Sequence, residues 1–140
     1  MKLIGKCHCG NVKIIANINS DNVYACHCND CQIMSGAPFR TMIGVDRNNV
    51  EISGDTKEYI KIAESGNKRI QSFCANCYTS LFSSSLEKER YSIRTGIFNE
   101  RDQLKPKKHL YGKSSLKWIH QIVNDEWVTT MPNSEPYKIK

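Results

Sequence analysis

No apolar run in the chain approaches the roughly 20 residues that a membrane-spanning helix needs, so no membrane span is expected. The first residues, Met1-Lys2-Leu3-Ile4-Gly5-Lys6-Cys7, lack the apolar stretch and small-residue cleavage site of a secretory signal, and a cytoplasmic location is expected. There is no internal repeat with a period of about 20 to 50 residues, which argues against a solenoid or array. Low-complexity tracts and recognisable nucleic-acid-binding motifs are also missing. One further absence is local. The stretch Cys26-His27-Cys28-Asn29-Asp30-Cys31 puts three thiols within one short segment and has no fourth cysteine nearby.

What remains is a chain of 140 residues, 39% hydrophobic and 24% charged, the size and composition of one globular domain over residues 1–140. Its formal charge of +6 fits an anionic partner or mere solubility, and does not decide between them. The seven cysteines are an odd number and none is isolated. In a reducing compartment such clusters are metal ligands more often than disulfides or core residues. They divide into four, from Cys7-His8-Cys9 and Cys74-Ala75-Asn76-Cys77, and the central three. Four protein ligands close a structural zinc site, whereas three leave a position for water or substrate.

Hydrophobic periodicity places these clusters on a mainly β scaffold. Val12, Ile14, Ala16 and Ile18 alternate with Lys13, Ile15 and Asn17, which predicts a strand ending in a turn at Asn19-Ser20-Asp21-Asn22. Val23-Tyr24-Ala25 leads extended into the central cysteines. Residues 32–36 leave room for no more than a turn of helix before Pro38. Strand character returns over residues 39–45. The polar run Asp46-Arg47-Asn48-Asn49, followed by Val50-Glu51-Ile52, predicts a hairpin. Tyr59, Ile60 and Ile62 precede a turn at Glu64-Ser65-Gly66-Asn67, and residues 69–73 run as a strand into Cys74. Further strands are expected at residues 79–82 and 91–95. Residues 99–113 read as an exposed basic connection, Trp118 and Ile119 as an anchor, and residues 119–140 as a C-terminal extension lying over the surface.

The pairs Cys7/Cys9 and Cys74/Cys77 are half-sites on separate strand ends, and a metal joining them would staple distant parts of the chain. A redox role for Cys74 and Cys77 lacks the βαβ context that such motifs have. The spacing of Cys26, Cys28 and Cys31 lets a tight turn wrap three sulfurs around one ion. A side chain at the fourth corner would make that site structural too. His27, and likewise His8, should point away from the metal because successive side chains of an extended segment alternate. His109 and His120 are the remaining histidines, and a ligand role for either is disfavoured. The open site is the favoured reading. Three thiolates make zinc a weak activator of water, but a coordinated thiol still loses its proton, which points to thiol chemistry with an electrophile such as an aldehyde.

The ordered motifs Gly5-Lys6-Cys7-His8-Cys9-Gly10-Asn11-Val12, Cys26-His27-Cys28-Asn29-Asp30-Cys31 with Ser35-Gly36, and Phe73-Cys74-Ala75-Asn76-Cys77 resemble the glutathione-dependent formaldehyde-activating (CENP-V/GFA) family, as do His109 and Trp118. The resemblance covers about residues 5–118. It implies a single Mss4-like zinc-binding domain of packed antiparallel sheets with two Zn²⁺ per chain. Cys7, Cys9, Cys74 and Cys77 would hold the structural zinc. Cys26, Cys28 and Cys31 would hold the catalytic one. The implied activity is that of a carbon-sulfur lyase or synthase, condensing glutathione with formaldehyde to S-(hydroxymethyl)glutathione. Ser35 and Gly36 are read as a turn, and Lys105, Lys107, Lys108 and Lys113 as a solvated face. The sequence departs from the family at Tyr78, where glycine is usual, and the turn there is expected to relax. The competing classes are a non-catalytic zinc module that binds nucleic acid or protein through its basic surface, and a thiol-redox sensor.

Overall fold

Alternation decides which face of each strand is buried, and the computed structural model, which describes residues 1–18 and 22–139, shows the outcome. Its elements run β1 (Lys2–Lys6), β2 (Lys13–Asn17), β3 (Val23–Cys26), α1 (Asn29–Ser35), β4 (Arg40–Asp46), β5 (Val50–Ser53), β6 (Thr56–Ile62), β7 (Lys68–Cys74), β8 (Ser80–Ser84), β9 (Arg90–Arg94) and β10 (Lys108–Leu110). Val12, Ile14, Ala16 and Ile18 are all buried, as their period of two requires. Of the turn expected after them, residues 19–21 lie outside the described residues.

The strands form two sheets. One is three-stranded, β1-β2-β5, and antiparallel. The other is seven-stranded, in the order β10-β3-β4-β9-β8-β7-β6, and antiparallel except where β10 runs parallel to β3. The sheets share one core: Leu3, Ile14 and Ala16 from the small sheet pack with Ile43, Val45, Leu81 and Ile93 from the large one. Side chains directly opposite one another on paired strands share a face. Cys26, Arg40, Met42, Arg94, Ser92, Ser83, Gln71 and Arg69 are linked in this way across the large sheet, which gives it a polar face turned from the core.

Several local expectations are overturned. Asp46-Arg47-Asn48-Asn49 does not close a hairpin: β4 pairs with β3 and β9, whereas β5 pairs with β2 in the other sheet. The polar run is a 3₁₀ turn that carries the chain between sheets. The helix begins within the cysteine loop, so α1 spans 7 residues rather than one turn after Cys31. Residues 99–113 are not merely a connection, because β10 extends the sheet beside β3. Trp118 and Ile119 are not a buried anchor: Trp118 is 51% exposed and Ile119 half-buried on a 3₁₀ helix, Lys117–Asn124, that has no buried residue. The segment after it folds back on itself, with Thr129 N–H donating to Glu135 O and Tyr137 N–H to Trp127 O. No helix among the described residues is long and apolar enough to cross a membrane.

Candidate metal centres and the cleft beside one of them

The C-x-C and C-x-x-C segments each form a knuckle whose backbone N–H groups turn toward sulfur. Val12 N–H donates to Cys7 Sγ at 3.2 Å, and the N–H groups of Asn76 and Cys77 both reach Cys74 Sγ at 3.4 Å. A register shift in β7 at Ser72/Phe73 immediately precedes Cys74, the kind of bulge that re-aims a strand end. The ligand atoms of Cys7, Cys9, Cys74 and Cys77 all lie within 4.8 Å of one another. Cys7 Sγ is 3.6 Å from Cys9 Sγ, and Cys9 Sγ is 3.8 Å from Cys74 Sγ. A regular tetrahedron with zinc-sulfur bonds of about 2.3 Å has edges of about 3.8 Å, so donor set and spacing both fit a four-coordinate zinc. Hydrogen bonding from Thr79, with Cys9 adding to it, lowers the Cys77 thiol to about 5, which favours the thiolate that a metal requires. His8 lies outside this cluster and its backbone N–H donates to Thr79 Oγ1.

The second knuckle keeps its tight geometry rather than relaxing. Tyr78 adopts φ 60°, the left-handed region that usually selects glycine, and its N–H closes the turn on Cys74 O at 3.0 Å. Lys57 Nζ sits 5.7 Å from the centre of the Tyr78 ring, a cation–π contact that offsets part of the strain. Gly54 supports the other knuckle. At φ +102° it lies so close that an added Cβ would fall 2.1 Å from Asn11 O, so no side chain fits there.

Cys26, Cys28 and Cys31 also bring their sulfurs within 4.8 Å of one another, and no further His, Cys, Asp or Glu donor among the described residues joins them. Both clusters can therefore hold a metal ion. Cys26 ends β3, Cys28 caps α1 with Sγ accepting the N–H of Cys31, and Cys31 is buried in the first turn. Gly36, at φ 65°, ends the helix by donating its N–H to Gln32 O, while Ser35 Oγ donates to Cys31 O. These two residues do form a turn. Hydrogen bonding from Cys26, aided by the Arg40 cation, lowers the Cys31 thiol to about 5, against the effect of burial. The same bond and burial push Cys26 up, so within this pair Cys31 is the first thiolate.

His27 is not part of that cluster. It is buried, its Nε2 lies 2.8 Å from His109 Nδ1, and its ring packs on Phe39 with centroids 4.9 Å apart. Burial, with repulsion from His109 added, lowers its pKa, so the ring is held neutral. His109 stands on β10 as His27's partner, and His120 is exposed on the 3₁₀ helix. Neither is brought into a cysteine cluster.

The three sulfurs border a cleft of about 680 Å³ over the polar face of the large sheet, walled by the start of α1, the β6–β7 hairpin and the segment after β10. Lys61 Nζ binds Asp30 at 2.7 Å and Lys113 Nζ binds Glu64 at 3.1 Å across its rim. Tyr24, whose hydroxyl bonds Ser92 Oγ, lines the wall beside Cys26. Arg40, Arg69 and Gln71 also line it, and Arg94 stands directly behind, bonded to Gln71 and Ser83. Reading the chain by its cysteines missed these residues. The available signal was an arginine inside a short strand, Arg94 directly after the core residue Ile93 and so on the opposite face.

Comparison with known proteins agrees with this geometry. Residues 2–114 match the family described as glutathione-dependent formaldehyde-activating enzyme. A protein of Schizosaccharomyces pombe described as an uncharacterized lyase is 30% identical over 95 residues, which span 67% of this chain and 66% of that protein. The chain thus spans just under two thirds of that relative. A crystal structure of a Rhodobacter sphaeroides protein superposes with a TM-score of 0.56 at 18% identity, covering 78% of this chain and 99% of the other, a likeness of fold. The family match extends over most of the chain and takes in both cysteine clusters, so this protein belongs to the glutathione-dependent formaldehyde-activating enzyme family.

Proposed function

We propose that this chain is a zinc-dependent carbon-sulfur lyase or synthase that adds a small thiol, glutathione being the first candidate, to formaldehyde or a similarly small aldehyde. One observation carries the reading: a cluster of three cysteines, with no fourth protein donor among the described residues, bordering a cleft of about 680 Å³. The four-cysteine cluster, by contrast, is complete within the protein and serves as a staple between the two sheets. Two zinc ions per chain follow from this division.

Cys26, Cys28 and Cys31 would hold the zinc, which would supply a Lewis-acid position that lowers the pKa of an incoming thiol. The chain's own residues do the rest. The Arg40 cation stabilises negative charge on Cys31, whose thiol is already lowered to about 5 by hydrogen bonding from Cys26. The Lys61–Asp30 and Lys113–Glu64 pairs tie opposite walls together and narrow the mouth, holding thiol and aldehyde together at high effective concentration. The thiol sulfur forms a bond to the aldehyde carbon, the carbonyl π pair moves to oxygen, and that oxygen takes up the proton lost from the thiol. The product is an S-hydroxymethyl thioether, and the reverse reaction is the lyase direction.

The test is Cys28→Ala in zinc-supplemented protein, with adduct formation from glutathione and formaldehyde followed by NMR. The expected result is loss of turnover, one zinc in place of two, and an intact β-sheet circular dichroism spectrum. Turnover retained by the folded variant would remove the reading.

A further inference from the structure

The polar face of the large sheet contains more positive charge than its neighbours neutralise. Arg40 is 6% exposed and Arg94 7%, and burying a charge without a counter-charge is costly. Their shared partner is neutral: Gln71 Oε1 accepts from Arg40 Nη1 at 3.1 Å and from Arg94 Nη2 at 3.0 Å. The other donors of Arg94 go to Ser80 Oγ, Ser83 Oγ and the Ser92 carbonyl, again uncharged, and Arg40 Nε is buried with no partner. Arg69 lies on the same face, two residues before Gln71, and pairs with no carboxylate among the described residues. Burial and the nearby Arg40 pull Arg94 down to about 9, which still leaves it a cation at neutral pH.

The lysines at the rim behave differently, since Lys61 and Lys113 each have their acid. The sulfurs balance only part of the excess. Three thiolates around a dication leave one net negative charge, against the three guanidiniums of Arg40, Arg69 and Arg94. A surplus of cation therefore faces the cleft, beside the position where substrate sulfur would sit. Guanidiniums bind carboxylates through paired, charge-assisted hydrogen bonds.

We propose that Arg40 and Arg69, with Arg94 behind them, form a subsite for a carboxylate of the thiol substrate, so that this chain selects acidic thiols over neutral ones. The inference rests on the thiol-aldehyde reading for its chemistry, but its test does not depend on turnover. Arg40 is the cross-strand partner of Cys26, which fixes the subsite next to the metal cluster. Arg69 reaches the same space from β7.

The experiment measures binding of S-methylglutathione, which has no free thiol, and of its diethyl ester, to the zinc-loaded protein by calorimetry. The free acid is expected to bind about tenfold or more tighter than the ester, the size of one lost charge-assisted hydrogen bond. Arg69→Gln, partly exposed and so the safer variant for folding, is expected to abolish that difference. Arg40→Lys keeps the charge but not the fork and is expected to reduce it. Equal binding of acid and ester by the wild type, or an unchanged preference in folded Arg69→Gln, overturns the subsite. Should wild type prefer the acid yet turn over no thiol with formaldehyde, the subsite stands and the proposed reaction falls.

Discussion

Cys28 Sγ accepts the backbone N–H of Cys31 at 3.3 Å, so one candidate metal ligand is also the N-cap of α1. The two roles separate by substitution. Serine is a good cap but a poor zinc ligand beside two thiolates, whereas alanine is neither. Cys28→Ser is expected to lose the second zinc while keeping the helix. Cys28→Ala should be less stable than Cys28→Ser by about 1 kcal/mol. Metal analysis with urea denaturation checks both, and equal stability of the two variants would remove the cap.

The four-cysteine cluster is expected to govern folding rather than catalysis. Cys9 Sγ and Cys74 Sγ, 65 positions apart in sequence, lie 3.8 Å from each other, so a metal between them links the small sheet's β1–β2 loop to the end of β7. Binding free energy at such a site is folding free energy. Cys74→Ser or exhaustive chelation should cause cooperative loss of β structure by circular dichroism, while Cys28→Ser does not. A Cys74→Ser protein with wild-type unfolding temperature would contradict this.

Tyr78 tests backbone strain. Tyr78→Gly and Tyr78→Ala both remove the ring and its contact with Lys57, but only alanine keeps a Cβ at φ 60°. The glycine variant should be more stable than the alanine variant by about 1 kcal/mol, the cost of a left-handed L-residue. Denaturant titration of the zinc-loaded pair measures it, and a more stable alanine variant would show that the turn is not strained.

His27 should stay neutral where an ordinary histidine is half protonated. Burial, then His109, lower its pKa, so the unfolded chain takes up the proton more readily than the folded one. Its contribution to stability is thus complete above the ordinary value of about 6.5 and is lost as pH falls below it toward the depressed folded value. Ring ¹⁵N shifts of the zinc-loaded protein at pH 6.5 should report a mainly neutral His27. A half-protonated ring at that pH would contradict the burial argument.

The features legible in the sequence were those encoded locally. Cysteine spacing marked both clusters, and alternation marked Val12 to Ile18 and residues 69–73 as strands. Pairing was not legible, because nothing in Asp46-Arg47-Asn48-Asn49 distinguishes a hairpin from a crossover between sheets; that depends on β2, far back in the chain, offering β5 a free edge. β10 was missed for the same reason: Lys108, His109 and Leu110 have little strand character, and the strand exists because β3 presents a parallel partner. Arg40, Arg94 and Gln71 converge only once β4, β9 and β7 are aligned, so the cleft floor required the register as well as the residues.

The central claim is that Cys26, Cys28 and Cys31 hold a metal able to take a thiol from solution, and cobalt substitution tests it most directly. Cobalt(II) should bind at two ions per chain. Addition of glutathione should then increase the sulfur-to-cobalt charge-transfer absorption by the equivalent of one thiolate, and this increase should vanish in Cys28→Ser. A spectrum that glutathione leaves unchanged, with both cobalt ions bound, would contradict the account.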